Sequence, residues 1–170
     1  MPQAPLSFDL PDSGATETLG KALAASFTGA GVGAIVYLRG ELGSGKTTCA
    51  RALLHALGVT APVRSPTYTL VDTHSAAALT CVHVDLYRVQ TTTEVEELGL
   101  RDMTGPGCLM LIEWPEKGGV AVPPADLKLL LAYKGDARSA AFGAASATGR
   151  DWLSKLAIDS SLAPYVSNLT

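Results

Sequence analysis

The chain has 170 residues, 47% of them hydrophobic, and a formal net charge of −3 from 13 basic and 16 acidic side chains. That length suits one domain that can remove about 70% of its unfolded surface from water. An acidic chain without a Lys/Arg block is ill-suited to hold RNA alone by phosphate neutralisation, and its longest apolar runs, AIVYL and LLLAY, are far too short to cross a bilayer.

In chain order, Ser7 to Leu10 reads as a short edge strand and Pro11-Asp12-Ser13-Gly14 as a turn. Asp9 and Asp12 fall where the apolar core of a secretory signal would lie, so the chain is expected to remain in the cytoplasm. Leu19, Leu23 and Phe27 recur at helical spacing up to Gly29 and Gly31. Ala34 to Leu38 is a continuous apolar run of the kind that forms a buried parallel strand. Cys49 to Leu57 carries a helical pattern at Ala50, Leu53, Leu54 and Leu57, stopped by Gly58.

Thr60 to Pro66 holds two prolines and reads as an extended loop. Tyr68 to Val71 and Thr80 to Val84 are strand candidates. Thr93 with Glu96 predicts the capped start of a short helix that Gly99 ends. Cys108 to Ile112 is a second central strand. Leu127 to Tyr133 and Ser139 to Ala145 predict a hairpin around Lys134-Gly135-Asp136, and Arg150 to Ala157 a short helix. Alternating strands and helices predict an α/β fold. The three cysteines, Cys49, Cys81 and Cys108, form neither a CxxC nor a Cys/His cluster, so buried free thiols are expected rather than zinc or a disulfide.

The segment GELGSGKTT, Gly40 to Thr48, meets the pattern G-x-x-x-x-G-K-[ST] through Gly40, Gly45, Lys46 and Thr47. Glycines let the backbone curl until successive N–H groups point at phosphate oxygens, and the helix behind adds the positive end of its dipole. Lys46 would place a point charge on the β- and γ-phosphates, and Thr47 a hydroxyl on Mg²⁺. The strand before and the helix after supply the context that the motif requires. No NKxD-type segment for guanine is present, so ATP is the expected nucleotide. Ser13 and Thr16 are candidates to border its base or ribose, with helix capping as the alternative.

Such a loop needs a carboxylate at the carboxyl end of a neighbouring strand, in the crevice where open parallel sheets bind ligands. Asp85 closes CVHVD and Glu113 closes CLMLIE; the longer apolar run makes Glu113 the stronger candidate to hold the metal or orient water. His83 shares a face with Asp85, as either a satisfied buried histidine or a catalytic one. Tyr87 and Trp152 are expected in the core.

Three further segments, SPTYTLVD (Ser65 to Asp72), HVDLYR (His83 to Arg88) and the pair EELG with LIEWPE (Glu96 to Gly99, Leu111 to Glu116), follow the glycine loop. Together and in this order they closely resemble the TsaE (YjeE) family over about residues 6 to 157. The resemblance implies a single P-loop NTPase domain, with a mostly parallel central sheet, antiparallel edge strands and flanking helices. It implies an ATPase of bacterial tRNA threonylcarbamoyladenosine synthesis that leaves threonylcarbamoyl transfer to a partner pair, TsaD and TsaB, and meets tRNA through them. Gly43, Ser44, Gly45, Lys46, Thr47 and Thr48 would hold the phosphates; Thr47 and Glu113 would be the Mg²⁺ ligands, with Asp85 close to the metal and Lys46, Asp85 and Glu113 the catalytic set. Ser65, Thr67 and Thr69 would lie on a switch-like loop near the γ-phosphate, extended before Pro66.

Arg88 is a candidate in-cis arginine finger, a partner contact, or an ion-pair partner of Glu94 or Glu97. Trp114 suits a partner surface or a packed rim. Arg138 matches a basic position near the family's C-terminal strands. Ser44, Glu41 and Cys49 depart mildly from the family's usual alanine, aspartate and aromatic. Residues 158–170 fall outside the resemblance and read as a loose tail. The competing readings are a small P-loop kinase, which would ordinarily carry an arginine-bearing lid that this chain lacks, and an ATP-dependent binding module.

Overall fold

The computed structural model describes residues 5–168. Seven strands form one sheet in the order β1-β7-β6-β2-β5-β4-β3: β1 Leu6–Leu10, β2 Ala34–Arg39, β3 Val71–Ala76, β4 Leu79–Asp85, β5 Cys108–Glu113, β6 Leu127–Lys134 and β7 Ala137–Ala144. The central strands β6, β2, β5 and β4 run parallel, while β7, β1 and β3 add antiparallel edges. This is the expected mixed α/β sheet.

The apolar runs decide which strands lie at the centre. Every residue of β5 is buried, as are the first five of β2. Alternate residues serve opposite faces. Val36, Leu38, Leu109 and Leu111 meet Leu19 and Leu23 of α1 (Ser13–Ser26), Leu53 and Leu54 of α2 (Lys46–Ala56) and Trp152 of α4 (Ala147–Leu156). Ile35, Tyr37, Met110 and Ile112 meet Val95 of α3 (Thr92–Glu97), Leu100 and Val122 on the other side. Each fully buried Leu or Met contributes about 1.5–3 kcal/mol of transfer free energy. The helices α1 and α2 touch most closely at Gly20, where a Cβ would stand 2.5 Å from the Cys49 carbonyl oxygen.

Four expectations are corrected. Tyr68 to Val71 is not a strand: Leu70 N–H bonds the Pro66 carbonyl at 2.8 Å and Leu70 takes φ +64°, closing a turn, so pairing begins at Val71 opposite Val84. The capping pair is Thr91 with Glu94, one turn fragment earlier than Thr93 with Glu96; this start directs Val95 into the core. Helix α4 begins at Ala147 because the Ser146 hydroxyl accepts from Gly149 N–H at 3.0 Å. The tail is not loose over residues 158–168. A 3-10 turn at Ser160–Tyr165 sinks Leu162 to 1% exposure, Val166 bridges Phe8, and Ser167 N–H bonds the Ser7 carbonyl at 3.0 Å. The last two residues of that expected tail lie outside the described residues. All three cysteines are buried and free. Among the described residues no helix is long and apolar enough to cross a membrane.

Candidate functional site

The glycine loop runs from the carboxyl end of β2 into α2. Gly40 and Gly45 take φ +146° and +106°, in the left-handed region where a side chain is strained, and a Cβ at Gly40 would collide with the Leu131 carbonyl. Asp12, Thr91 and Ser146 cap α1, α3 and α4 with their side chains; α2 begins at Gly45 with no side-chain cap. Its first hydrogen bond from within the helix is Cys49 N–H to the Gly45 carbonyl at 2.9 Å. The amides before Cys49 therefore have no partner within the helix, as an anion cradle requires.

Lys46, 6% exposed, donates to its own loop, to the carbonyls of Gly40 at 2.7 Å and Glu41 at 2.8 Å. Its ammonium also lies 4.3 Å from the centroid of the Trp114 ring. Burial pulls its pKa below the usual value, against the raising fields of Glu113, Asp85 and Glu116. The loop carbonyls accept this charge.

Both candidate acids stand at the carboxyl ends of β4 and β5, where Asp85 pairs in register with Glu113. Thr47 Oγ1 donates to Glu113 Oε1 at 2.8 Å, and Glu113 is 1% exposed. Ser65 Oγ donates to Asp85 Oδ2, whose second oxygen accepts from Tyr87 N–H at 2.9 Å. These hard oxygen donors fit Mg²⁺, a cation held by one or two carboxylates plus substrate phosphates rather than by an all-protein cage. Among the described residues no group of three or more His, Cys, Asp or Glu side chains could hold a metal by itself. His83 is fully buried and stands 3.8 Å from Glu113 Oε1 through Nε2; neither ring nitrogen has a hydrogen-bond partner among the described residues.

The sequence-predicted residues separate into two groups. Lys46, Thr47, Ser65, Asp85, Glu113 and Trp114 are linked by direct contacts. Gly43, Ser44, Thr48 and Ser13 line a cavity of about 160 Å³ beside the loop, together with buried Thr16 and with Arg138. Ser13 is not the cap of α1; Asp12 is, through Ala15 N–H at 2.8 Å. Among the described residues the Thr67 hydroxyl bonds within its own loop, at Ser65, and Thr69 turns toward Asp72 at 3.2 Å. Arg88 makes no ion pair with Glu94 or Glu97 among the described residues; its guanidinium lies 4.9 Å from the ring centroid of Tyr68, which is 86% exposed. His83 is not the satisfied buried histidine of one expectation. Tyr87 is partly exposed, its ring tilted against that of Trp114 with centroids 5.0 Å apart, whereas Trp152 is buried as expected.

Two further holds on the loop come from the β6–β7 hairpin. The Tyr133 hydroxyl donates to the Leu42 carbonyl at 2.8 Å, and Arg138 donates to the Gly43 carbonyl at 3.3 Å while lying over the Tyr133 ring. Nothing in the spacing of Tyr133 signals this contact; it follows from the pairing of β6 with β2.

With this geometry in view, the comparisons are specific. The profile of the family described as "Threonylcarbamoyl adenosine biosynthesis protein TsaE" matches residues 10–140. A Haemophilus influenzae protein named tRNA threonylcarbamoyladenosine biosynthesis protein TsaE is 41% identical over 120 residues, covering 71% of this chain and 76% of its own. A Synechocystis protein of the same name is 36% identical over 116 residues, covering 66% and 71%. The crystal structure of Bacillus subtilis YdiB superposes with a TM-score of 0.71 at 24% identity, over 89% of this chain and 93% of that one, and so shares the fold.

Proposed function

The chain belongs to the TsaE family of threonylcarbamoyl adenosine biosynthesis proteins, and on that premise we propose that it is a Mg²⁺-dependent ATPase subunit of tRNA threonylcarbamoyladenosine synthesis. It hydrolyses ATP to ADP and phosphate in the cytoplasm, supports turnover of a partner pair resembling TsaD and TsaB, and meets tRNA through that pair. The observation that carries this reading is the 2.8 Å contact between Thr47 and Glu113 at the foot of α2, the one α-helix among the described residues whose N-terminus has no side-chain cap.

The phosphates of ATP lie on the amides that precede Cys49. Lys46 exchanges the Gly40 and Glu41 carbonyls for phosphate oxygens and holds the charge that develops in transfer. Thr47 and Glu113 would hold Mg²⁺, which would neutralise charge on the phosphate oxygens. The Ser65–Thr69 loop closes on the γ-phosphate, and Ser65 leaves Asp85 as it does so. The freed Asp85, or Glu113, orients the attacking water. Phosphate release then relaxes the loop and resets the surface that the partner pair contacts. Ser13 and Thr16 border the base, and Arg88 and Trp114 serve the transferred charge or the partner.

The test separates metal use from nucleotide binding. Glu113→Ala is expected to lose about 10²–10³-fold in Mg²⁺-dependent phosphate release, the scale for removing one well-placed electrostatic group, while binding a fluorescent ATP analogue in EDTA as tightly as wild type. Normal hydrolysis by Glu113→Ala would transfer the metal role to Asp85.

A further inference from the structure

His83 presents a buried imidazole with no hydrogen-bond partner among the described residues, next to a carboxylate of the site. It occupies β4 two residues before Asp85 and pairs with Leu111, two residues before Glu113 on β5, so the parallel register sets it diagonally against Glu113. Nε2 stands 3.8 Å from Glu113 Oε1, too far for a hydrogen bond. That same oxygen accepts the Thr47 hydroxyl at 2.8 Å. Both ring nitrogens are unpaired among the described residues at full burial, and an unsatisfied buried donor costs about 1–3 kcal/mol.

We propose that His83 is the positioning residue that takes hold of Glu113 Oε1 beside the Thr47 hydroxyl when a cation is held at the site. The inference rests on the metal-dependent reading of the site. Thr47 at 2.8 Å and His83 at 3.8 Å both approach that oxygen, and a carboxylate oxygen has lone pairs for two donors. In the nucleotide-free protein Thr47 fills the role and the imidazole waits. In the loaded protein a movement of about 1 Å brings Nε2–H into hydrogen-bond range. The carboxylate is then oriented by a donor that water cannot replace, because His83 has no exposed surface. Ligand-orienting partners of this kind sharpen metal affinity rather than nucleotide affinity.

The experiment compares His83→Leu, His83→Asn and His83→Gln. Glutamine carries an amide N–H to the position of Nε2, asparagine is too short, and leucine carries none. The Mg²⁺ midpoint for tight binding of a fluorescent ATP analogue is expected to rise about 10–100-fold in the leucine and asparagine variants and to return toward wild type in the glutamine variant. Nucleotide binding in EDTA stays unchanged in all three, and the melting temperature of nucleotide-free His83→Leu is equal to or above wild type, since two unpaired nitrogens leave the core. An unchanged midpoint in the leucine variant, or an equal loss in all three with lowered melting temperatures, overturns the proposal. Wild-type hydrolysis is measured alongside: its absence overturns the ATPase reading and this inference together, whereas an active wild type with an unshifted His83→Leu overturns this inference alone.

Discussion

A lysine that grips its own loop is the residue on which the site turns. Lys46 holds the Gly40 and Glu41 carbonyls and lies over Trp114, so the loop is drawn around a positive charge before any phosphate arrives. The Tyr133 hydroxyl braces the same loop at Leu42. Tyr133→Phe removes that single hydrogen bond, and nucleotide affinity is expected to fall about threefold to tenfold, the equivalent of roughly 0.5–1.5 kcal/mol, by titration with a fluorescent ATP analogue. An unchanged affinity would mean that the hairpin does not brace the loop. The local motif, Gly40 to Thr48, was legible because its chemistry is encoded in adjacent residues. The contacts of Lys46 with Trp114 and of Tyr133 with Leu42 were not, because they depend on which strands become neighbours.

At the scale of elements, continuous apolar runs identify β2 and β5 as central strands, and their carboxyl ends carry the loop and Glu113. Weaker local signals misplace boundaries. Both Thr91–Glu94 and Thr93–Glu96 satisfy the capping pattern, and only burial of Val95 chooses between them. The turn at Leu70 is hidden in a β-prone sequence because a Pro66–Leu70 hydrogen bond outweighs propensity. Two substitutions separate elements that serve the site from those that do not. Thr91→Ala is expected to cost about 1 kcal/mol in urea unfolding and leave nucleotide affinity untouched. Gly20→Val, wedged against the Cys49 carbonyl, is expected to cost about 1–3 kcal/mol and also weaken nucleotide binding, since it displaces α2. If Gly20→Val destabilises the fold without affecting the nucleotide, the α1–α2 contact does not position the loop.

Across the whole molecule, the two apolar layers keep the thiols from solvent. Burial, aided by the Glu113 charge, pushes Cys49 up to about 12, and burial, aided by Cys108, pushes Cys81 up to about 11. In the folded protein all three thiols are expected to react slowly with a disulfide reagent at pH 8 and rapidly in denaturant; fast reaction of the native protein would contradict their burial. The sign for stability follows. Above the ordinary thiol value of 9.0 the unfolded chain ionises at Cys49 and Cys81 while the folded chain does not, so these groups lower stability as pH rises further. The docked residues 158–168 were not legible because their contacts are with β1 and α1 at the other end of the chain, a pairing no local pattern announces. We propose that this site hydrolyses ATP in the service of a partner pair. The most direct measurement is phosphate release from ATP by the purified chain, alone and with a TsaB–TsaD pair, beside Lys46→Ala. Weak release that rises with the pair and disappears in Lys46→Ala is the predicted result. No stimulation by the pair, with the γ-phosphate transferred instead to a small molecule from cell extract, would contradict the account and favour a kinase.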